Sequence, residues 1–449
     1  MGVKLGILGL GTVGTGTVQL LLDNVGRHPL LREIEIYRVG VRSLSKTRTV
    51  KLPEGVITTD LDSIVTDPAI DIVVEVLGGL EPARSLILKA IRAGKHVVTA
   101  NKAAIARYGD EIFTLAEQAG VCVMLEAAVG GGIPVIQPLK QSLSVNRIHT
   151  VIGIVNGTTN YILTKMQTEG SSFEDVLADA QKLGYAEADP TTDVDGFDAA
   201  DKIAILASIA SGCRIDLSDV YCEGIRQVSK TDITYAEKLG FVIKLLAIAK
   251  KITSSVSSPL SVRVHPTLVP LAHPLASING VNNAILVEGE PIGQVMFFGP
   301  GAGAGATASA VSSDILNIVA ALKTEAVTDG ETLQQESGNK PKSKIALRNQ
   351  LLTSRHQEDC KIATISELIT RFYARFLTKD QPGVIGKLGT CFGNYGVSLE
   401  SVVQTGFQGQ LAEIVVVTHD VREGDFRKAL TEISTLEAID SIPSLLRVL

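Results

Sequence analysis

The sequence predicts an α/β protein with several domains: a doubly wound parallel sheet first, an α+β region second and a small βαββαβ unit third. Up to about residue 130, short apolar segments alternate with amphipathic helical ones, a pattern typical of βαβ units. The pattern then becomes a mixture of strands and helices, and it changes again near residue 370. The chain has 449 residues, 45% of them hydrophobic, which is more than one core of about 100 to 200 residues holds.

The first domain, residues 1–130, is predicted from its strands and from the helices between them. The strands are expected at 5–8, 34–41, 71–77, 96–99 and 121–125. Amphipathic helices are expected at 81–93 and 103–118, each followed by a glycine, Gly94 or Gly120, that suits a left-handed C-cap. Parallel strands joined by helices in this way form a doubly wound sheet.

Three further segments are expected after residue 130. Residues 131–325 are predicted to form an α+β domain, with a glycine-rich segment at 299–306 near its end. Residues 326–369 are rich in polar residues and glycine and predict a linker. Residues 370–449 follow the order strand, helix, strand, strand, helix, strand, which is the ferredoxin-like plan.

Charge and composition exclude several classes of protein. The formal net charge is −6, with 42 basic and 48 acidic residues, and aromatic residues make up 4%. Such a chain lacks the positive field and the stacking surfaces of a nucleic-acid-binding protein. The five cysteines are scattered without a CxxC pair, which indicates a reducing compartment and ordinary thiols rather than a disulfide framework.

The sequence also carries no targeting or membrane signal of the usual kinds. The residues after Met1 lead directly into an apolar strand, without the basic flank and cleavage site of a secretion signal. No uninterrupted apolar stretch reaches the roughly 18 to 20 residues of a membrane span. We therefore expect a soluble, cytoplasmic protein with no membrane contact.

A glycine-rich turn follows the first predicted strand. The residues Gly9-Leu10-Gly11-Thr12-Val13-Gly14 match GxGxxG and open a helix. Backbone amides at such a helix N-terminus hold the pyrophosphate of a dinucleotide. A purely structural glycine turn is the alternative, but the position between a strand and a helix favours a dinucleotide-binding Rossmann fold.

Two basic residues lie at the carboxyl ends of predicted strands. At the position of Arg42, an NAD-selective site usually has an acid that binds the ribose hydroxyls, whereas a cation accommodates a 2′-phosphate. Arg42 therefore favours NADP over NAD, with a solvated surface charge as the alternative. Lys102 follows the strand at 96–99, where it either faces cofactor and substrate or is an exposed lysine at a strand–helix junction.

An acid-rich segment leads into an apolar helix near residue 199. Asp198 and Lys202 stand four residues apart and so share one helix face. A surface ion pair of this kind would contribute only a few tenths of a kcal/mol. Here the pair enters a mostly apolar helix, and burial lowers the pKa of a lysine ammonium toward the range useful for proton transfer. The neighbouring acids, Glu187 and Asp193 among them, suit a substrate with an ammonium group.

With these motifs, the chain resembles the homoserine dehydrogenases over residues 1 to about 325. The resemblance implies reversible reduction of L-aspartate 4-semialdehyde to L-homoserine with NADPH or NADH, on the branch leading to threonine and methionine. The region 131–325 would then be the substrate-binding and dimerisation domain. The matching motifs are Gly9 to Gly14, Asn101-Lys102, residues 126–134, residues 156–161 and residues 184–202.

The same resemblance implies roles for individual residues. Lys202 is similar to the lysine that exchanges a proton with the C4 oxygen, with the catalytic Asp198 beside it. The residues expected to bind the substrate are Glu187, Asp193, Gly184 and Tyr185. The residues expected to contact the cofactor are Gly9, Gly11, Thr12, Val13, Gly14, Arg42, Lys102, Gly184 and Gly303.

A monovalent cation, usually sodium, is also implied by the resemblance. Its expected ligands are Glu126 and the main-chain carbonyls of Val129, Gly131 and Ile133. Carbonyl ligands leave no side-chain pattern, so the residues alone do not indicate this ion. The alternative is that the loop needs its glycines only for tight turns.

Residues 370–449 resemble an ACT domain, with Asp380-Gln381-Pro382-Gly383-Val384 before the first helix. Such modules pair with one another and bind small amino acids, which implies feedback inhibition by L-threonine. An assembly role alone is the alternative. The central domain and the ACT domain could each form a symmetric interface, so we expect a homodimer or a homotetramer.

Three other hypotheses are weighed against this one. Aspartate-semialdehyde dehydrogenase handles the same aldehyde, but it needs an activated cysteine nucleophile, and neither Cys122 nor Cys213 stands in such a setting. A non-catalytic amino-acid sensor would not require the Asp198 and Lys202 pair. A bifunctional enzyme with a kinase domain is not expected, because no kinase-sized segment precedes Val3.

Overall fold

The computed structural model describes residues 2–23, 25–253, 258–332 and 360–449. The chain divides into two units by its internal contacts. Unit 1 comprises Met1–Ile148, Ala204–Leu217 and Gly289–Asp359. Unit 2 comprises His149–Ile203, Ser218–Glu288 and Cys360–Leu449.

A parallel sheet forms the centre of unit 1. Its strands are β1 Val3–Leu8, β2 Ile34–Gly40, β3 Ile57–Thr58, β4 Ile72–Glu75, β5 His96–Thr99 and β6 Val123–Met124. They are hydrogen-bonded in the order β3-β2-β1-β4-β5-β6, and neighbouring strands are parallel. This is the strand order of the dinucleotide-binding Rossmann fold, so the predicted fold class is confirmed.

The helices of this part of unit 1 begin where the strands end. They are α1 Thr12–Leu22, α2 Leu61–Thr66, α3 Ala83–Arg92, α4 Lys102–Ala119 and α5 Ile136–Lys140. Helix α4 starts at a cap in which the Asn101 side chain accepts a hydrogen bond from the backbone N–H of Ala104 at 3.1 Å. It ends at Gly120, which adopts the left-handed conformation with φ of 72°.

The central region contributes helices and strands. Its helices are α6 Gly157–Glu169, α7 Phe173–Lys182, α8 Thr191–Val194, α9 Phe197–Ser211 and α10 Lys230–Lys238. Its strands are β7 Arg147–Ile154, β8 Tyr221–Cys222, β9 Phe241–Lys251, β10 Leu260–Pro270, β11 Asn282–Glu290 and β12 Gly293–Pro300. Strands β9 and β10 pair antiparallel along their whole length. The alternating apolar residues of these strands form a core in unit 2 that includes Ile152, Leu246 and Val269.

Helix α11, Ala304–Thr332, belongs to the core of unit 1. Within the described ranges, the segment Ala304–Thr324 is the one helix long and apolar enough to cross a membrane by length and composition, and half of it is buried. Its residues Val311 and Ile315 pack in one cluster with Val18 of α1, as in the core helix of a folded domain. The helix extends into the predicted linker 326–369, of which residues 333–359 lie outside the described residues.

The C-terminal region follows the predicted βαββαβ order, with one additional two-residue strand. Its elements are β13 Ile369–Lys379, α12 Val384–Asn394, β14 Leu399–Gln408, β15 Leu411–Thr418, β16 Val421–Arg422, α13 Glu423–Ile433 and β17 Ile439–Val448. The sheet order is β17-β13-β15-β14, with antiparallel neighbours. Stacked Phe372 and Phe426 rings, 4.2 Å between centroids, lie in its core.

The C-terminal sheet continues the central sheet of unit 2. The strands are hydrogen-bonded in the order β11-β7-β9-β10-β17-β13-β15-β14. The junction is a short parallel pairing of β10 with β17, in which Thr267 faces Arg447 and Leu268 faces Val448. The C-terminal module is therefore joined to the central region by backbone hydrogen bonds as well as by side chains.

A buried ionic cluster also joins the two regions of unit 2. The Arg375 guanidinium of β13 lies 2.9 Å from Asp232 Oδ1 of α10 and 3.0 Å from Glu413 Oε1 of β15. Glu413 also accepts a hydrogen bond from the Tyr235 hydroxyl of α10. The Arg375 side chain is 6% exposed, so its charge depends on these carboxylates for compensation.

The cysteines differ from the sequence-based expectation. Cys122, Cys222 and Cys391 are not disulfide-bonded, whereas Cys213 and Cys360 are disulfide-bonded. The prediction of five ordinary thiols is therefore wrong for two residues, because disulfide partners distant in sequence leave no spacing pattern. The cysteine content consequently no longer argues for a reducing compartment.

We predict that Arg375→Met destabilises the protein by about 3 to 5 kcal/mol, because it leaves two buried carboxylates without their cation. Urea unfolding followed by circular dichroism measures this loss. The matched control is Lys428→Met, since Lys428 pairs with Asp425 at 2.9 Å on the surface of α13 and such pairs contribute about 0 to 1 kcal/mol. Equal effects of the two substitutions would contradict the prediction.

Candidate active site

A buried ion pair lies in the first turns of helix α9. Lys202 Nζ donates to Asp198 Oδ2 at 2.7 Å and to the Val155 carbonyl at 2.6 Å. The two side chains are 13% and 8% exposed. An ammonium has three N–H donors, so these two bonds leave one donor for a ligand.

The Asn156 side chain connects this pair to a second carboxylate. Its Nδ2 donates to Asp198 Oδ2 at 2.9 Å and to Asp193 Oδ1 at 2.7 Å. Its Oδ1 accepts from the backbone N–H of Thr159 at 2.8 Å, which makes Asn156 the N-cap of α6. The structure therefore brings the predicted residues Asp193, Asp198 and Lys202 together through a residue for which the sequence indicated no role.

The environment of Asp193 shifts the pKa of its carboxyl group. Burial raises the pKa of its carboxyl group, and the nearby Asp198 carboxylate raises it further. The hydrogen bond from Asn156, the Thr158 hydroxyl and the charge of Lys202 act in the opposite direction. A bound ammonium group would favour the charged form of Asp193, so this position suits a cationic end of a substrate.

The other acids of the segment 184–202 are sorted by their partners. Asp195 forms an ion pair with Arg226, and Asp189 accepts from the backbone N–H of Thr191 at 3.1 Å. Glu187 is exposed, and none of the hydrogen bonds described for the segment joins its carboxylate to the cluster around Lys202. The sequence grouped these acids together, whereas the structure places Asp193 and Asp198 beside Lys202 and gives Asp189 and Asp195 other partners.

Two more predicted substrate contacts lie just after helix α7. Gly184 has φ of 76°, a conformation that favours glycine. The Tyr185 carbonyl accepts a hydrogen bond from Thr158 Oγ1 at 2.7 Å. The centroid of the Tyr185 ring lies 5.0 Å from that of the Tyr161 ring. Because Thr158 and Tyr161 belong to α6, this loop is held against the helix that Asn156 caps.

Glycine is required for a different structural reason at each of the three positions of the turn in unit 1. Gly9 has φ of 107°, and a Cβ there would lie 2.8 Å from the Val76 carbonyl oxygen. A Cβ on Gly14 would lie 2.1 Å from the Gly9 carbonyl oxygen, whereas one on Gly11 would have nothing within 4 Å. A tight turn, an open backbone and a close helix contact are the three requirements of a pyrophosphate-binding turn, with Thr12 and Val13 opening helix α1.

Two of the other predicted cofactor contacts, Arg42 and Gly303, lie near this turn and helix α1. The backbone N–H of Gly9 donates to the Gly40 carbonyl at 3.0 Å, so the end of β2 and the exposed Arg42 lie beside it. A Cβ on Gly16 would lie 2.8 Å from the Ala304 carbonyl oxygen, which places Gly303 next to α1. Lys102 is the first residue of α4, and Gly184 belongs to unit 2.

Glu75 is a buried acid at the carboxyl edge of the parallel sheet that the sequence analysis missed. It accepts from Thr99 Oγ1 at 2.6 Å and from the backbone N–H of Leu77 at 2.9 Å. Burial raises the pKa of its carboxyl group. These bonds fix the ends of β4 and β5, and the signal available in the sequence was an acid inside an otherwise apolar strand.

The loop predicted to hold a cation is organised around Glu126. The Glu126 carboxylate accepts backbone N–H bonds from Val135, Ile136 and Gln137 at 2.6 to 2.8 Å. Its side chain is thus engaged by the start of α5, which leaves main-chain carbonyls as the oxygen donors of the loop. A Cβ on Gly131 would lie 2.4 Å from the Gly301 carbonyl oxygen, so tight packing is one reason for glycine here. No group of three or more His, Cys, Asp or Glu side chains suited to a metal occurs in the described part of the chain.

Family models match the chain in three consecutive segments. Residues 9–126 match the NAD-binding domain of homoserine dehydrogenase, and residues 134–316 match homoserine dehydrogenase itself. Residues 372–438 match the ACT domain. The resemblance of the chain to homoserine dehydrogenase and of its C-terminal region to an ACT domain is therefore confirmed.

Complete proteins show the same relationship. The homoserine dehydrogenase of Synechocystis sp. is 62% identical over 449 residues, covering 100% of each chain. The crystal structure of the Thiobacillus denitrificans homoserine dehydrogenase has a TM-score of 0.88 at 38% identity, covering 100% of this chain and 98% of that one. A hyperthermophilic archaeal homoserine dehydrogenase in complex with NADPH has a TM-score of 0.60 at 28% identity and covers 72% of this chain and 98% of its own. This chain, with its NAD-binding, catalytic and ACT domains, belongs to the homoserine dehydrogenases, which are NAD(P)-dependent oxidoreductases.

Proposed function

We propose that the chain catalyses the reversible reduction of L-aspartate 4-semialdehyde to L-homoserine, with Lys202 as the acid–base residue. The observation that carries this proposal is the buried Asp198–Lys202 pair, in which Lys202 retains one N–H donor. A nicotinamide cofactor, when bound, supplies the hydride for the aldehyde carbon. The same donor then gives a proton to the oxygen of that carbon and takes it back during oxidation.

The carboxylates beside Lys202 have two separate functions, positioning of the lysine and binding of the substrate. Asp198 holds the ammonium in place at 2.7 Å, which orients its third donor. Asp193, with Glu187 from the exposed part of the loop, binds the ammonium of the amino-acid end. Gly184 and Tyr185 border the substrate on the loop that Thr158 holds against α6.

NADPH is the proposed preferred cofactor, with NADH as an alternative. The pyrophosphate would lie over the open backbone at Gly11, between Gly9, Thr12, Val13 and Gly14. The exposed Arg42 at the end of β2 supports a 2′-phosphate, since a cation rather than an acid occupies this position. The archaeal relative whose structure contains NADPH supports the same preference, and Lys102 and Gly303 complete the proposed contacts.

The loop from Glu126 to Ile133 is proposed to hold a monovalent cation, sodium in the first instance. Because the Glu126 carboxylate is engaged by three backbone amides, its main-chain oxygen is the expected ligand. The carbonyls of Val129, Gly131 and Ile133 would supply the others. An ion bound there would fix the loop without taking part in proton transfer.

The ACT domain is proposed to bind L-threonine and to mediate feedback inhibition. A cavity of about 230 Å³ lies between the end of β13 and the start of α12, with Thr378, Asp380 and Gln404 in its lining. The amides at the start of α12 suit a carboxylate, and Asp380 suits an ammonium group. The Thr378 hydroxyl oxygen is buried and has no hydrogen-bond partner, so a ligand hydroxyl would satisfy it.

The domain division, the location in the cell, the pathway and the oligomeric state are also proposals. The predicted division into residues 1–130, 131–325, 326–369 and 370–449 stays a proposal, as do the cytoplasmic location and the role in threonine and methionine synthesis. Residues 131–325 would bind substrate and form one interface. Together with ACT pairing, this gives a homodimer or homotetramer.

Replacing Lys202 tests the acid–base assignment. In Lys202→Met, kcat should fall by about 10² to 10⁴, because the alkoxide loses its proton donor, while NADPH binding followed by fluorescence stays unchanged. Lys182→Met is the control, since this exposed lysine of α7 pairs with Asp179. Near-normal turnover of L-aspartate 4-semialdehyde by Lys202→Met would refute the assignment.

Arg42→Ala tests the cofactor preference. The KM for NADPH should rise by about tenfold or more, because one charge-assisted bond to the 2′-phosphate is lost, and the KM for NADH should change little. Arg32→Ala removes the same charge from an exposed residue before the opposite end of β2. If both variants raise the two KM values equally, Arg42 does not recognise the phosphate.

Thr378→Val tests the effector cavity. This substitution keeps the shape of the side chain but removes the hydroxyl, so the threonine concentration for half-inhibition should rise by about tenfold. Inhibition is measured on L-homoserine oxidation at fixed NADP, with Ser398→Ala, outside the cavity, as the control. Unchanged threonine inhibition in Thr378→Val would place the effector elsewhere.

A further inference from the structure

We propose that Asn156 is a positioning residue that holds the Asp193 and Asp198 carboxylates, and through Asp198 the Lys202 ammonium, in one fixed arrangement. The inference rests on the proposed function, in which these three residues act on the substrate. Asn156 is 5% exposed, and its Nδ2 lies 2.7 Å from one carboxylate and 2.9 Å from the other. One amide group thereby connects two residues with different tasks.

The physical need for this bridge comes from the two negative charges. Like-charged carboxylates that share a buried site repel each other, and one of them tends to take up a proton. Lys202 compensates Asp198 directly at 2.7 Å, whereas Asp193 accepts a hydrogen bond from Asn156 at 2.7 Å and lies beside the Thr158 hydroxyl. Asn156 thus lets Asp193 remain close to the pair while it awaits a cationic partner.

The orientation of the Asn156 amide is determined by its other half. The backbone N–H and the hydroxyl of Thr159 both donate to Oδ1, at 2.8 and 3.0 Å. Since a backbone N–H can only donate, the oxygen must face Thr159 and the NH₂ group must face the carboxylates. The neighbouring Val155 carbonyl accepts a hydrogen bond from Lys202 at 2.6 Å. Two consecutive residues, Val155 and Asn156, therefore hold Lys202 and the two carboxylates.

Helix α6 gives this amide a fixed base. One turn after Asn156, Asn160 donates to the carbonyls of Ile278 and Asn282 at 3.2 and 3.1 Å. Its Oδ1 accepts from the buried Lys244 ammonium at 3.2 Å. The first turn of α6 is therefore also anchored in unit 2 through Asn160.

Helix capping is the alternative explanation for Asn156, and two substitutions separate it from positioning. Serine and aspartate cap helices about as well as asparagine, so Asn156→Ser and Asn156→Asp should behave as wild type if capping is the only role. Positioning predicts that kcat/KM falls by at least about tenfold in Asn156→Ser, because charge-assisted bonds are lost. It predicts a larger fall in Asn156→Asp, because a third carboxylate faces Asp193 and Asp198.

The pH profile of kcat/KM is the decisive measurement. Without the Asn156 hydrogen bond, which opposes the effect of burial on the pKa of Asp193, the acidic limb should move to higher pH in Asn156→Ser. The groups facing Asp193 that also influence this limb are Asp198 and Lys202, and both are unchanged in the variant. Ser172→Ala, which removes the N-cap of the adjacent helix α7, controls for the loss of a cap.

The outcomes distinguish this inference from the proposed function. A low kcat/KM and a shifted limb in Asn156→Ser, with a thermal midpoint near wild type, support positioning. A wild-type profile in both Asn156 variants, while Lys202→Met is inactive, overturns positioning and leaves the proposed function intact. Normal turnover in Lys202→Met overturns both, because Asn156 would then have no acid–base residue to position.

Discussion

Buried charge requires a partner, and this requirement fixes the most important contacts of unit 2. A buried ion left without its partner destabilises a protein by several kcal/mol. Lys202 meets the requirement with Asp198 inside α9, and Arg375 meets it with Asp232 and Glu413 between the central and C-terminal regions. The need to pair buried charges therefore determines both the arrangement of Asp198 and Lys202 and the attachment of the ACT domain to the central region of unit 2.

Local sequence patterns were sufficient for features whose residues lie close together in the chain. The glycine turn at Gly9 to Gly14 and the Asp198–Lys202 pair both depend on spacings shorter than two helical turns, so they were predictable. Asn156 carries no comparable pattern, because its carboxylate partners lie 37 and 42 residues away. The disulfide-bonded cysteines escaped for the same reason, because their pairing is formed by tertiary structure.

The acidic residues of the segment 184–202 differ in their partners and therefore in the stability of their charged forms. In the acid-rich segment, Arg226 compensates Asp195, solvent surrounds Glu187, and an amide bridge holds Asp193 beside Asp198. The free energy of the charged form depends on such partners more than on residue type. A count of carboxylates does not separate these cases, whereas the hydrogen bonds and ion pairs show which carboxylate is compensated by a cation.

The pairing of β10 with β17 has a consequence for how the chain folds during its synthesis. These strands are neighbours in the sheet but lie far apart in the chain, and contacts of large sequence separation form slowly. During synthesis β10 emerges well before β17, so one of its edges lacks its final neighbour over that interval. Unpaired strand edges are sites of self-association. The yield of folded enzyme should therefore depend on translation speed and on chaperones that shield this edge.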